Sequence, residues 1–205
     1  MEPSPQFDPV KYKNTTREQW QEAADAWYRW SDTLKKWLGK ATEKMLDLAD
    51  VGSGDRVLDI AAGAGEQSIT TAGKVGKSGY VLATDISSNI LEYAKKMAQQ
   101  NGVEHIETRV MDGENITLED ETFDAVISRV GLIYFPDQQK ALKGMMRVLR
   151  PGGKVAAIVY STPENNKFFS VPVSIIRNRA KILAAIQNAK RFIEVSRMSR
   201  VQARH

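Results

Sequence analysis

A glycine-containing loop is the first segment whose composition could support chemistry. Residues 59–68 read DIAAGAGEQS, in which Asp59 ends an apolar run and Gly63 and Gly65 precede a helix-forming segment. Because glycine has no side chain, the backbone can turn tightly there and approach a ligand closely. Twenty residues after Gly65, Asp85 ends a second apolar run, where a carboxylate could accept both hydroxyls of an adenosine ribose.

Nicotinamide-binding folds carry a similar pattern, so the details of the loop must separate the two kinds of ligand. The dinucleotide fingerprint is G-x-G-x-x-G, whose third glycine allows tight helix packing near a pyrophosphate. Here that position is Ser68, and Glu66 places a negative charge beside the helix N-terminus, where it would repel a pyrophosphate. A ligand that carries a sulfonium and an amino group suits this acidic loop better.

The elements that must position the loop follow from the pattern after Asp55, where short apolar runs alternate with amphipathic segments. Five strands are predicted, at residues 56–61, 79–84, 106–110, 123–128 and 154–160. Three helices are predicted between them, at 66–75, 88–100 and 137–149, the last stopped by Pro151-Gly152-Gly153. Runs such as VLDI are apolar throughout, which is typical of parallel strands buried on both faces. The predicted fold is a doubly wound, mostly parallel α/β sheet that binds ligands at the carboxyl ends of its strands.

Residues 15–49 read as helical, and all four tryptophans lie in this stretch. The large apolar side chains recur at spacings near three, four and seven, which predicts one shared face for Trp20, Trp27, Trp30, Leu34, Trp37 and Leu38. That face would either pack against the main domain or form a lid over a ligand. We assign residues 1–50 to a helical cap, 51–162 to the binding core and 163–205 to a helical basic tail, all within one compact domain.

Composition excludes several classes of protein. The 205 residues include no cysteine, which excludes disulfide frameworks, thiolate zinc sites and a cysteine nucleophile, and we expect no metal site.

Charge is distributed unevenly along the chain. Residues 177–205 hold eight basic residues and one acidic residue, a net charge of +7, whereas residues 1–176 hold 21 basic and 24 acidic residues, a net charge of −3. The body therefore has no nucleic-acid signature, and the tail is either a solvated basic helix or a contact for an acidic partner or an anionic membrane. No apolar run reaches the roughly 18 residues of a membrane helix and no targeting peptide is visible, so we expect a cytoplasmic protein without an integral membrane segment.

Five blocks follow one another along the chain: DIAAGAGEQS at residues 59–68, TDIS at 84–87, RVMDGENI at 109–116, FDAVISRVGLIYF at 123–135 and VLRPGGKV at 148–155. In this order they resemble the motifs of the class I S-adenosylmethionine-dependent methyltransferases. Within that class the sequence is most similar to the ubiquinone/menaquinone C-methylase-like group, over roughly residues 15 to 170. The resemblance implies a Rossmann-like fold, S-adenosylmethionine as cofactor and S-adenosylhomocysteine as product.

The resemblance also implies ten cofactor-binding residues, which are Asp59, Ala61, Gly63, Gly65, Asp85, Ile86, Asp112, Gly113, Ser128 and Arg129. The loop from Asp59 to Gly65 would hold the methionine part of the cofactor, and Asp85 would hold the ribose. Ser128 and Arg129, at the end of the fourth strand, would flank the methionine amino group and the sulfonium.

The adenine would be held by the segments that follow the second and third strands. Ile86 would pack on the ring, and Asp112 would accept its amino group with help from the backbone of Gly113. No catalytic base is identified, because no Ser/His/Asp set is present and methyl transfer needs no dedicated nucleophile. Tyr134 is the one polar side chain nominated near the methyl group, with packing or a lid role as the alternative.

The acceptor is expected to be a small molecule. The segment SRVGLIYF after the fourth strand lacks the Asn or Asp and prolines of amino-methylating nucleic-acid enzymes. An apolar or aromatic acceptor fits the tryptophan helix, and a quinone precursor fits the closest group. Two other functions stay open, a cofactor-binding scaffold without catalysis and an NAD(P)-dependent oxidoreductase.

The family's sheet has seven strands, and the end of this chain departs from that pattern. Residues 163–170 read as a loop, 173–189 as a helix and 191–198, RFIEVSRM, as a poorly patterned sixth strand. A shortened sheet leaves an exposed edge, which the tail helix or a second subunit could cover. We therefore expect a homodimer.

Overall fold

The structure, a computed structural model, describes residues 7–180. The chain divides into two compact units, Met1–Ile158 and Val159–His205. Within residues 7–180, no helix combines the length and apolar character that crossing a membrane requires.

Two helices precede the sheet, where the sequence predicted one helical stretch from residue 15 to residue 49. α1 spans Pro9–Arg29 and α2 spans Ser31–Leu48. α1 begins six residues earlier than expected because the Asp8 carboxylate accepts two N–H groups of the first turn, each at 3.0 Å, and a proline fits the first helical position.

The tryptophans do not share one face. Trp30 lies between the two helices, so the spacing of apolar residues in α1 does not predict where those of α2 point. Trp30 and Trp37 are 63% and 53% exposed, so the predicted common face is wrong for these two residues. Trp20, in contrast, packs from α1 against the buried side chains of Ala64 and Ile90.

Five parallel strands form the sheet in the order β3-β2-β1-β4-β5, which confirms the predicted fold class. The strands are β1 Arg56–Ile60, β2 Tyr80–Asp85, β3 Ile106–Val110, β4 Phe123–Arg129 and β5 Leu149–Ile158. β2 and β3 lie on one side of β1, and β4 and β5 lie on the other, so the direction in which strands are added reverses after β3. Sheets with such a reversal bind ligands at the carboxyl ends of the strands beside it, which are β1 and β4 here.

Helices cover both faces of the sheet. They are α3 Glu66–Val75, α4 Ser88–Gln100 and α5 Gln138–Arg147. Successive residues of β1 point to opposite faces, so Val57 packs with α2 and α3 while Leu58 packs with Met145 of α5. This two-sided burial explains why the central strands are apolar throughout.

β5 begins earlier than predicted and continues through the glycines that were expected to stop the preceding helix. Leu149 pairs with Phe123, but the next pair joins Lys154 to Ala125, so the intervening residues form an irregularity in the strand. The sequence predicted that Pro151-Gly152-Gly153 separate the helix from the strand. Instead, β5 has extra residues between two successive pairs with β4, and a bulge accommodates them. β5 is an outer strand of the sheet in the described part of the chain, and the dimer that would cover it stays a prediction.

The second unit contains a short 3-10 helix, Pro163–Asn165, and α6, Lys167–Ala180, with Pro172 inside it. The expected loop at residues 163–170 is therefore wrong after residue 166. The rings of Tyr160 and Phe169 lie 5.0 Å apart within this unit. The sixth strand predicted at residues 191–198 lies outside the described residues.

Candidate active site

The loop after β1 and the end of β2 meet at the carboxyl edge of the sheet. Ala61, Gly63 and Gly65 all have positive φ angles, of 59°, 58° and 88°, and this turn leads directly into α3. The Ala62 N–H donates to the Thr84 carbonyl at 2.9 Å, which ties the loop to β2. The left-handed backbone favours glycine, so the two glycines are explained by the turn itself.

Space around the two glycines is already filled by protein. A Cβ added at Gly65 would lie 2.8 Å from the Cβ of Ala94, so this glycine permits close packing against α4. A Cβ added at Gly63 would lie 3.3 Å from the indole Nε1 of Trp27, so α1 covers this part of the loop. The predicted close approach of a ligand therefore concerns Gly63, where the indole of Trp27 lies against the loop.

Asp85, at the end of β2, points its carboxylate at the glycine loop. Its Oδ2 accepts the Gly63 N–H at 3.1 Å and its Oδ1 accepts the Ser87 N–H at 3.0 Å. Burial raises the pKa of this carboxyl group, and the main-chain N–H groups partly offset that effect. A carboxylate offers about four lone-pair positions, so these two hydrogen bonds leave capacity for a ligand.

Asp59 is buried within the protein, and both of its carboxylate oxygens have partners there. Its two carboxylate oxygens accept hydrogen bonds from Gln67 Nε2 and Ser68 Oγ, both at 2.6 Å, and the side chain is completely buried. Burial raises the pKa of Asp59 to about 6, against the effect of these hydrogen bonds. The residue therefore fastens the first turn of α3 to β1, and Ser68 at the third-glycine position serves this contact.

A buried ion pair joins Arg129 at the end of β4 to Glu66 at the start of α3. The same guanidinium nitrogen donates to Thr42 Oγ1 of α2 at 3.0 Å. Arg129 was expected beside the methionine part of the cofactor, and the structure brings it to the glycine loop. Its charge is engaged by a carboxylate of the chain itself.

Ser128 precedes Arg129, and its Oγ is the buried side-chain polar atom without a hydrogen-bond partner in the described part of the chain. A Cβ added at Gly131 would lie 2.5 Å from the Cβ of Ala61 and 2.7 Å from this hydroxyl. The ends of β1 and β4 are therefore in close contact around an unsatisfied hydroxyl group. Buried hydroxyls normally have partners, so this unpaired atom is a candidate contact for a polar group of a ligand.

The loop after β3 carries Asp112 and Gly113, the two residues expected at the adenine. Asp112 Oδ1 accepts the Glu114 N–H at 2.9 Å, and its Oδ2 lies 2.7 Å from Lys13 Nζ of α1. A Cβ added at Gly113 would lie 2.5 Å from the Phe135 ring, so glycine is needed for that packing. Ile86, also expected at the adenine, is half-buried in the neighbouring loop after β2.

Sequence reasoning missed the residues of α1 that reach this edge. Lys13 contacts a residue 99 positions away, and Gln21 Oε1 accepts the Asn89 N–H at 3.1 Å across 68 positions. Tyr134, the nominated residue after β4, lies with its ring 5.4 Å from the ring of Trp20. The helical pattern predicted α1, but nothing local to Lys13 or Gln21 indicated these long-range partners.

Comparison with solved structures agrees with this architecture. A SAM-dependent methyltransferase from Aquifex aeolicus has a TM-score of 0.55 and 24% identity, and the match covers 85% of this chain and 88% of that chain. The strand order and this likeness show that the chain has the class I methyltransferase fold.

Sequence comparison then identifies the family. The model of the ubiE/COQ5 methyltransferase family matches residues 32–193, and the chain belongs to that family. The ubiquinone/menaquinone biosynthesis C-methyltransferase UbiE of Haemophilus ducreyi is 37% identical over 119 residues, which are 58% of this chain and 46% of that protein. The demethylmenaquinone methyltransferase of Bacillus cytotoxicus is 35% identical over 121 residues, which are 59% of this chain and 51% of that protein. The chain thus spans about half the length of the curated relatives it matches.

Proposed function

We propose that this protein transfers a methyl group from S-adenosylmethionine to a small, quinone-like acceptor. The observation that carries the proposal is the buried carboxylate of Asp85, held against the glycine loop by the Gly63 N–H at 3.1 Å. A carboxylate with unused lone pairs at this point suits the two hydroxyls of a ribose.

Other residues at the same edge fit the rest of the cofactor. Asp112 and the backbone of Gly113 would recognise the adenine, and the half-buried Ile86 would pack against it. The unsatisfied Ser128 hydroxyl would meet the amino group of the methionine part. The cofactor supplies a methyl group on a sulfonium, which activates that carbon for displacement.

The surroundings favour this cofactor over a dinucleotide. Glu66 lies at the N-terminus of α3, where a pyrophosphate would otherwise bind, and Ser68 occupies the place of the third glycine. The Glu66 carboxylate, buried and paired with Arg129, already takes the place of a phosphate there. A positively charged, phosphate-free ligand does not need that place.

The chain's own contribution to the reaction is alignment and exclusion of water. In-line displacement at an activated carbon needs the acceptor held at the correct distance and angle. Trp27 lies against Gly63 of the glycine loop, and its ring is 5.1 Å from that of Trp20, which in turn meets the ring of Tyr134. These rings would orient a planar acceptor and keep water from the methyl group.

The nature of the acceptor is proposed from two supports. The aromatic rings of α1 suit a flat, apolar molecule, and the relatives described above are named for ubiquinone and menaquinone biosynthesis. We propose a ring-hydroxylated quinol precursor that accepts the methyl group on carbon. No side chain is assigned as its base.

Calorimetric titration with S-adenosylhomocysteine, with NADH as the comparison ligand, tests the cofactor. We expect micromolar binding of the former alone. Asp85→Ala should weaken it by about 1.5–3 kcal/mol, roughly the contribution of charge-assisted hydrogen bonds. Asp120→Ala is the matched control, because Asp120 pairs with Arg147 on the surface before β4 begins. Equal affinity in a folded Asp85→Ala protein would refute the ribose assignment.

Incubation with S-adenosylmethionine and a demethylmenaquinol, the reduced form with an electron-rich ring carbon, tests the reaction. Mass spectrometry should detect an added methyl group on the acceptor and one equivalent of S-adenosylhomocysteine. Tight binding of S-adenosylhomocysteine without transfer to any acceptor of a quinol and phenol panel would favour the scaffold function instead.

A further inference from the structure

α1 crosses the carboxyl edge of the sheet and contacts the loop after each of four strands. Trp27 covers Gly63 after β1, and Gln21 Oε1 accepts a hydrogen bond from the Ser87 hydroxyl after β2 at 3.3 Å. Lys13 reaches the loop after β3, and Trp20 meets the ring of Tyr134 after β4. A ligand that binds along this edge must therefore pass beneath α1.

Lys13 makes the strongest of these contacts. Its ammonium lies 2.7 Å from Asp112 Oδ2 and 2.7 Å from Glu114 Oε2. Charge-assisted hydrogen bonds are about twice as strong as neutral ones, and the side chain of Glu114 is 7% exposed, which limits screening by solvent. Partial burial would lower the pKa of Lys13, but its bonds to the two carboxylates outweigh that effect and raise the pKa.

The partners of Lys13 are fixed in place. The other oxygen of Glu114 accepts the Asp137 N–H at 2.8 Å, which links the loop to the start of α5. The other oxygen of Asp112 accepts the Glu114 N–H. Lys13 therefore binds a rigid acceptor, and both oxygens of Asp112 are engaged while α1 is in place.

We propose that the two ion pairs of Lys13 form a latch that holds α1 closed over the site and controls entry and release of the adenosine end of the cofactor. The proposal rests on the proposed function, because it takes Asp112 as the adenine-binding carboxylate. With the latch formed, Lys13 occupies Asp112 and Trp27 covers Gly63, so both ends of the site are shielded by one helix. Opening α1 uncovers both at once.

Lys13→Met tests the latch, because it keeps the length of the side chain and removes the charge. Lys11→Met is the matched control on an exposed position of the same helix. Lys13→Arg retains a cation that two carboxylates can bind. Binding and release of S-adenosylhomocysteine can be followed by stopped-flow tryptophan fluorescence, since Trp20 and Trp27 lie at the site.

We expect Lys13→Met, which loses both charge-assisted contacts of Lys13, to raise the association and the dissociation rate by about tenfold each. Lys11→Met and Lys13→Arg should stay within twofold of the unaltered protein. Lys13→Gln, which removes the charge with a different side chain, should repeat the effect of Lys13→Met. Unchanged rates in both Lys13→Met and Lys13→Gln would overturn the proposal.

Hydrogen exchange on the ligand-free protein separates the latch from the cofactor assignment. Amides in the first half of α1 should exchange faster in Lys13→Met than in Lys11→Met, and equal protection in the two variants would overturn the latch. Failure of the unaltered protein to bind S-adenosylhomocysteine would overturn the proposed function and the control of entry with it. The exchange experiment would then still decide whether Lys13 holds α1 closed.

Discussion

Replacement of Arg129 by methionine should be among the most destabilising single changes at the site. The side chains of Arg129 and Glu66 are 6% and 8% exposed, so the variant leaves a buried carboxylate without its cation. Removing one partner of a buried ion pair typically costs about 3–5 kcal/mol. Glu66 lies in the first turn of α3, where the helix dipole offsets about 0.3–1 kcal/mol of that cost, and we expect a loss near 3 kcal/mol.

The remaining contacts of Glu66 cannot replace the guanidinium. Thr70 Oγ1 is 3.5 Å from its carboxylate, at the limit of a hydrogen bond. Thr42 also loses a donor, although its hydroxyl keeps the Leu38 carbonyl at 3.1 Å. The estimate therefore depends on an unpaired charge rather than on lost packing.

Urea unfolding measures the effect, and two further variants define its cause. Arg150→Met removes an ion pair with Asp124 whose side chains are 44% and 29% exposed, and it should cost about 1 kcal/mol or less. Glu66→Gln combined with Arg129→Met should recover most of the lost stability, because the double variant buries no charge. A loss below 1 kcal/mol for Arg129→Met, or strictly additive effects of the two changes, would contradict the reasoning.

Two further predictions concern the glycine loop. The pKa of Asp59 is about 6 in the folded protein against 3.8 for the ordinary group, so the folded state holds a proton that the unfolded state has released. Stability should therefore fall as the pH rises from about 4 to above 6, by about 3 kcal/mol relative to Asp59→Asn, and parallel pH profiles in urea unfolding would contradict this. Gly65→Ala would put a Cβ 2.8 Å from that of Ala94 at a φ of 88° and should cost about 1–3 kcal/mol, whereas Gly73→Ala, with nothing within 4 Å in α3, should stabilise by about 0.5–1 kcal/mol. Thermal melts compare the two glycine variants, and equal shifts in melting temperature would refute the packing argument.

The sheet could be predicted from the sequence because its signals are local. Each central strand is a continuous apolar run, and the helix at Glu66–Val75 ends at Gly76 as expected. Prediction was less accurate where a local signal is overridden by the pairing of two strands. Pro151-Gly152-Gly153 reads as a chain break, yet the pairing of β4 with β5 on both sides of it keeps the segment in the sheet.

The site itself could be predicted only in part, because its electrostatics depend on contacts between distant residues. The glycine loop and Asp85 were identified from their spacing. Arg129 and Glu66 are 63 positions apart in the sequence, and Lys13 and Glu114 are 101 positions apart. No local sequence pattern indicates a contact between residues so far apart. Arg129 and Asp112 have partners within the protein that the sequence did not indicate, and their assignment to the cofactor stays a prediction.

Those internal partners explain how an acidic edge can exist in a folded protein. Asp59, Glu66, Asp85, Asp112 and Glu114 lie along the ends of three strands and the start of α3, and like charges this close would destabilise the fold if none were neutralised. Arg129 pairs with Glu66, and Lys13 pairs with both Asp112 and Glu114, so two cations face three of these carboxylates. Burial raises the pKa of Asp59. Asp85 is stabilised by main-chain N–H groups, and within residues 7–180 it forms no ion pair of the kind that holds Glu66. The edge therefore keeps one carboxylate for ligand hydroxyls and a residual negative potential, which favours a cationic ligand and disfavours a pyrophosphate.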